Sequence, residues 1–123
     1  MREIKFRAWD KKRKYMFNPA PMISSWELLR DYNLVMQFTG LKDKNGKEIF
    51  EGDIVNCSFW EWNKEAKIRG KFTENGFIKW LDFKCGFVVS LGEEQFINLE
   101  LGEMEFEVIG NIFEDPKLLE GIK

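Results

Sequence analysis

The stretch Leu41-Lys42-Asp43-Lys44-Asn45-Gly46-Lys47-Glu48-Ile49-Phe50-Glu51-Gly52-Asp53-Ile54-Val55 decides the fold class. Asn45-Gly46 stands between two short runs, and Asn-Gly is the strongest two-residue hairpin signal because a type I′ turn needs positive φ at both central positions. Glu51-Gly52-Asp53 is a second reversal. Gly52 supplies a backbone shape that other residues resist, and Asp53 can accept bonds from nearby backbone N–H groups. Ile54-Val55-Asn56-Cys57-Ser58-Phe59 then reads as a core strand.

The same grammar continues outward in both directions. In Glu3-Ile4-Lys5-Phe6-Arg7-Ala8-Trp9, the residues Ile4, Phe6 and Ala8 alternate with charged ones, which predicts a strand with those three facing the core. Asp10 to Lys14 is a polar reversal and Tyr15-Met16-Phe17 its return, giving an N-terminal hairpin over 2–18. Ser24 and Glu27 have capping-box spacing and predict a short helix. Leu34 to Phe38 predicts a strand. Trp60 to Glu65 reads as a polar and aromatic loop, and Ala66 to Phe72 as a strand. Asn75-Gly76 predicts a second reversal, into Phe77 to Phe83. Cys85 to Leu91, Gln95 to Leu99 and Phe106 to Phe113 complete the strands. Asp115-Pro116 opens a short C-terminal helix, with Asp as cap and Pro at the first position. Many short strands separated by turn signals predict a mostly β, antiparallel barrel or small sandwich in a single domain over 1–123.

Composition narrows the chemistry. The chain has 123 residues, a size that carries one core. It contains no histidine, which removes the commonest general base and metal ligand and excludes Ser-His and Cys-His catalysis. The two cysteines, Cys57 and Cys85, sit among apolar neighbours and are expected to be buried free thiols; whether they are close in space stays open. Met1-Arg2-Glu3-Ile4-Lys5 is charged at once and has no apolar leader core, so the expected setting is a reducing cytoplasm. No apolar run approaches the ~20 residues of a membrane span. No metal or cofactor is expected.

Three functional readings compete. The best carboxylate group is Glu48, Glu51 and Asp53, which could serve a metal-dependent enzyme, but turn chemistry already explains it. No phosphate loop, dinucleotide fingerprint or nucleophile elbow is present. Trp60 and Trp62, followed by Lys64, Lys67 and Arg69, form the pattern of a single-strand nucleic-acid binder. Against that, the net charge is −2, and phosphate binding favours a basic excess. Twelve Phe and five Trp read first as a sheet-rich core, with the surplus at an oligomer interface; that surplus and the exposed strand edges of an antiparallel domain favour a protein-interaction module that self-associates. Trp60, Trp62 and Trp9 are the candidate anchors; core packing is the competing assignment for each.

Three blocks of the chain, REIKFRAWDKKRKYM from Arg2, MQFTGLKDKNGKEIFEGDIV from Met36 and FEVIGNIFEDPKLL from Phe106, resemble the signature blocks of the YopX-like family. The likeness spans the chain in the family's order and is weakest between about Phe59 and Met104. It implies a mostly β structure of SH3-like barrel character and no assigned catalytic residues. It also implies origin in a phage or prophage, mainly of Gram-positive bacteria, with a host or phage protein as possible partner.

Overall fold

The Asn45–Gly46 reversal closes a hairpin in the computed structural model, which describes residues 4–18, 35–63, 68–92, 95–99 and 104–122. The predicted helix at Ser24 and Glu27 lies outside these residues. Strands β3 (Val35–Lys42) and β4 (Glu48–Phe50) flank the turn, with Lys42 opposite Glu48. The turn is longer than the expected type I′: Gly46 takes φ +83° while Asn45 stays out of the left-handed region. The Gly46 N–H donates to the Asp43 carbonyl at 3.0 Å, and the Asp43 N–H to that of Lys47 at 2.7 Å. The Asp43 carboxylate accepts the N–H groups of Asn45 and Lys47, so one side chain organises the loop and only one residue must leave ordinary φ.

Strands β1 (Phe6–Asp10) and β2 (Tyr15–Phe17) form the N-terminal hairpin and join β3 and β4 in a sheet ordered β2-β1-β3-β4. Strands β5 (Asp53–Asn63), β6 (Ile68–Leu81), β7 (Gly86–Gly92), β8 (Gln95–Asn98) and β9 (Glu105–Asn111) form the second sheet, ordered β8-β7-β6-β5-β9. All pairings among the described residues are antiparallel, and one of the two sheets curls as a half-barrel. The fold is the small all-β barrel or sandwich that the turn spacing predicts.

The core lies between the sheets, where Ile49, Val55, Cys57, Ile78, Val89, Leu99 and Phe106 pack together, flanked by Leu41, Phe87 and Val108. Each such side chain contributes about 1.5–3 kcal/mol by leaving water. A second contact, Trp9 stacked on Phe113 with centroids 5.9 Å apart, ties the N-terminal hairpin to the chain after β9.

Four expectations are corrected. Asn75 and Gly76 make no reversal: they lie inside β6, opposite Asn56 and Val55. A Cβ on Gly76 would stand 2.5 Å from Val89 Cγ1 and 2.6 Å from the Ser90 carbonyl oxygen, so glycine is there for the close approach of β7. Trp60 and Trp62 lie in β5, which continues to Asn63, and not in a loop. Around β1 the expected alternation holds for Ala8, which is fully buried, and fails for Ile4 and Phe6, which are exposed; Arg7 and Trp9 are buried as well because each has a partner inside. Finally, the C-terminal helix is a 3₁₀ turn, η2 (Pro116–Gly121), with Pro at its start but no side-chain cap. The Asp115 carboxylate points back and accepts the Asn111 N–H at 3.2 Å.

Candidate functional site

The turn after β4 brings Asp53 to the first position of β5, where it is 1% exposed. Gly52 turns the chain with φ +88°, and its N–H donates to the Ile78 carbonyl at 2.8 Å. Asp53 Oδ2 accepts the Phe50 N–H at 2.8 Å, as its turn role requires, and Oδ1 accepts Arg7 Nη2 at 2.7 Å. Arg7 lies over the Phe50 ring, 4.8 Å from the centroid, and its Nε has no hydrogen-bond partner. Burial pushes the Asp53 carboxyl up from its ordinary value, against the pull of Arg7 and the Phe50 N–H. Glu48 instead pairs with Lys5, and Glu51 Oε1 accepts the Gln37 N–H at 3.4 Å. The three carboxylates therefore serve three separate structural bonds. Among the described residues no group of three or more His, Cys, Asp or Glu is placed to hold a metal.

The aromatic-basic candidates separate. Pairing of β5 with β6 sets Trp60 opposite Lys71 and Trp62 opposite Arg69. The side chains of Trp60, Trp62 and Arg69, and all of Lys64 and Lys67, lie outside the described residues. Trp9 is not an exposed anchor; it is buried against Phe113. Cys57 is a buried free thiol, pushed up to about 12 by desolvation and by the Glu74 charge. Cys85 is also free but exposed, contrary to expectation, at a left-handed position (φ +49°) that ends the 3₁₀ turn η1 (Asp82–Lys84).

Two apolar surfaces emerge that residue spacing did not single out. The first lies on the β2-β1-β3 sheet, where Phe6 (43% exposed), Tyr15 (57%) and Val35 (43%) face solvent and Tyr15 meets Phe17 edge-on at 4.9 Å. The second surrounds η1. Phe83, 75% exposed, meets Phe96 edge-on at 6.0 Å, and Trp80 meets Phe87 edge-on at 5.1 Å. Trp80 Nε1 donates to Asp82 Oδ1 at 2.9 Å, which fixes the ring. A cleft of about 350 Å³ opens beside Leu81, Phe83 and Phe96, and another of about 380 Å³ beside Trp80 and Phe87. The density of aromatics from Phe77 to Phe87 was the available signal, but period-2 spacing reads it as core strand.

Fold and surface together define a small antiparallel β protein with two solvent-facing aromatic patches. Residues 21–120 match the family described as YopX protein, and the chain belongs to that family. It is similar to the protein EF1440 from Enterococcus faecalis, whose crystal structure matches with 29% identity over 97% of this chain and 99% of that one, at a TM-score of 0.61. No curated protein matches the chain. Among the described residues, no helix is long and apolar enough to cross a membrane.

Proposed function

We propose that this chain is a non-enzymatic protein-interaction module that self-associates through the exposed face of its N-terminal sheet. The observation that carries the reading is the exposure of three large apolar side chains, Phe6, Tyr15 and Val35, on three adjacent strands. Large contiguous apolar patches are rare on monomers and mark sites of association. A sheet face suits an isologous contact, since the same surface serves both copies. The expected setting, the cytoplasm of a phage-carrying bacterium, comes with the family resemblance. The absence of histidine from the chain and the bonding of Glu48, Glu51 and Asp53 support a non-catalytic role.

Sedimentation velocity tests the reading. The protein should sediment as an oligomer at micromolar concentration, and Phe6→Ser with Tyr15→Ser should give a monomer of unchanged melting temperature. A wild-type monomer at every concentration would overturn it.

A second reading, binding of single-stranded nucleic acid, is favoured by the register that sets Trp60 and Trp62 opposite Lys71 and Arg69. It requires affinity that falls steeply with salt and weakens in Arg69→Ala. No binding at low salt would reject it.

A further inference from the structure

The fold places its two Asn-Gly pairs in opposite settings, one in a turn and one inside a strand. Asn-Gly carries chemistry as well as turn geometry. The backbone nitrogen of the glycine can attack the asparagine side-chain carbonyl, because no Cβ on the second residue screens it.

Asn45 stands where that attack meets least resistance. Asn45 and Gly46 are both exposed, and a Cβ at Gly46 would meet nothing within 4 Å. The Gly46 N–H must release one bond, to the Asp43 carbonyl at 3.0 Å, and in an exposed turn water takes its place. Asn75 is held differently. Gly76 is buried in β6 opposite Val55, with Val89 and Ser90 of β7 closing on it. The Asn75 side chain accepts Asn56 Nδ2 at 2.8 Å, and ring closure requires the backbone to leave its extended form. Reaction there waits on local opening of the sheet.

The exposed pair also lies where a change has consequences. Asp43 Oδ1 accepts the N–H groups of Asn45 and Lys47, and Oδ2 accepts the Val108 N–H at 2.9 Å. The Lys44 N–H donates to the Phe106 carbonyl at 2.9 Å. One carboxylate therefore holds both the turn and strand β9.

We propose that Asn45 is a site of spontaneous deamidation, and that the isoaspartate it yields loosens the hold of the β3–β4 turn on β9. In the first step the Gly46 nitrogen gives up its proton to water and bonds to Asn45 Cγ, and the side-chain nitrogen leaves as ammonia. Water then opens the succinimide. Cleavage at Cγ gives aspartate. Cleavage at the main-chain carbonyl gives isoaspartate, whose chain runs through Cβ and Cγ and is longer by a single atom. That atom displaces the Gly46 and Lys47 N–H groups from the Asp43 oxygens they reach, and the new carboxylate adds negative charge beside Asp43. The modification concerns the turn alone and stands apart from the self-association face.

The test is peptide mapping by mass spectrometry of the full chain incubated at pH 8, native and in urea. In urea both asparagines should convert at similar rates. In the native protein Asn75 should convert at least ~10-fold more slowly than Asn45, a factor that a local opening of about 1.4 kcal/mol already supplies. Asn45→Gln should remove the fast product. Equal native rates at the two sites, or an Asn45 that converts only in urea, would overturn the assignment. Amide exchange at Val108 in the purified isoaspartate form should be at least ~5-fold faster than in fresh protein, the factor for a net hydrogen bond of about 1 kcal/mol. Asn45→Asp, which has the charge without the longer chain, should keep most of the Val108 protection. Unchanged exchange in the isoaspartate form, or equal acceleration in Asn45→Asp, would refute the loosening by the lengthened chain.

Discussion

Arg7 and Asp53, 46 positions apart in sequence, meet at 2.7 Å inside the protein and join the N-terminal hairpin to the first strand of the larger sheet. Arg7 also reaches the Glu51 carbonyl at 3.3 Å, so one guanidinium bonds both sides of the Gly52 turn. The pair is deeply buried, with side chains only 7% and 2% exposed. A buried pair of this kind is weak evidence for stability relative to an apolar substitute, but removing one partner strands the other.

Arg7→Met or Asp53→Asn is therefore expected to lower stability by about 3–5 kcal/mol in urea denaturation. The double variant should lose less than the sum, with a coupling of at least ~1 kcal/mol. Strict additivity would show that the two side chains act independently.

Asp43 gives the fold a pH dependence of definite sign. Burial raises its carboxyl, but the N–H groups of Val108, Lys47 and Asn45 and the Lys47 charge outweigh that and leave it below the ordinary 3.8. A carboxyl depressed in the folded state stabilises fully above its unfolded value, and that contribution fades as pH falls through the folded one. Asp43→Asn should thus be less stable than wild type at pH 7, by roughly 1–3 kcal/mol. The gap should narrow below pH 3.8. A gap that persists unchanged into strong acid would refute the assignment.

The two Asn-Gly dipeptides show what was legible and what was not. Asn45-Gly46 and the Gly52 turn were readable locally, because a reversal needs a residue that accepts positive φ and both glycines supply it. Asn75-Gly76 carries the same local signal, yet β6 runs through it, because ten residue pairs with β5 and the packing of Val89 and Ser90 override the dipeptide. Arg7 read as the outward partner of an alternation; only Asp53, far along the chain, makes burial tolerable. The same limit hid the Phe83–Phe96 surface. Its residues come from η1 and β8 and become neighbours only when β7 folds back between them.

The cysteines should behave oppositely. Cys57 is wholly buried and its thiol stands at about 12, whereas Cys85 is exposed beside η1. The thiolate is the reactive form, so a disulfide reagent at pH 8 should titrate one thiol quickly in the native protein and both after denaturation. Cys85→Ser should remove the fast phase. Two fast thiols in the native protein would contradict the placement of Cys57.

Gly76 offers the sharpest check on the course of β6. Gly46→Ala places a Cβ in open space, with nothing within 4 Å, so its penalty is only the strain of φ +83°; that is about 1 kcal/mol. Gly76→Ala meets Val89 Cγ1 at 2.5 Å and the backbone Ser90 oxygen at 2.6 Å. The side chain could rotate away, but the carbonyl belongs to the β7 backbone, so relief must come from separating β6 and β7. Overpacking of this sort typically costs ~1–3 kcal/mol, and backbone contact places this case at the upper end. Urea denaturation should therefore find Gly76→Ala clearly less stable than Gly46→Ala. Were Gly76 a turn residue like Gly46, the two penalties would match, and a match would move the reversal back to Asn75-Gly76.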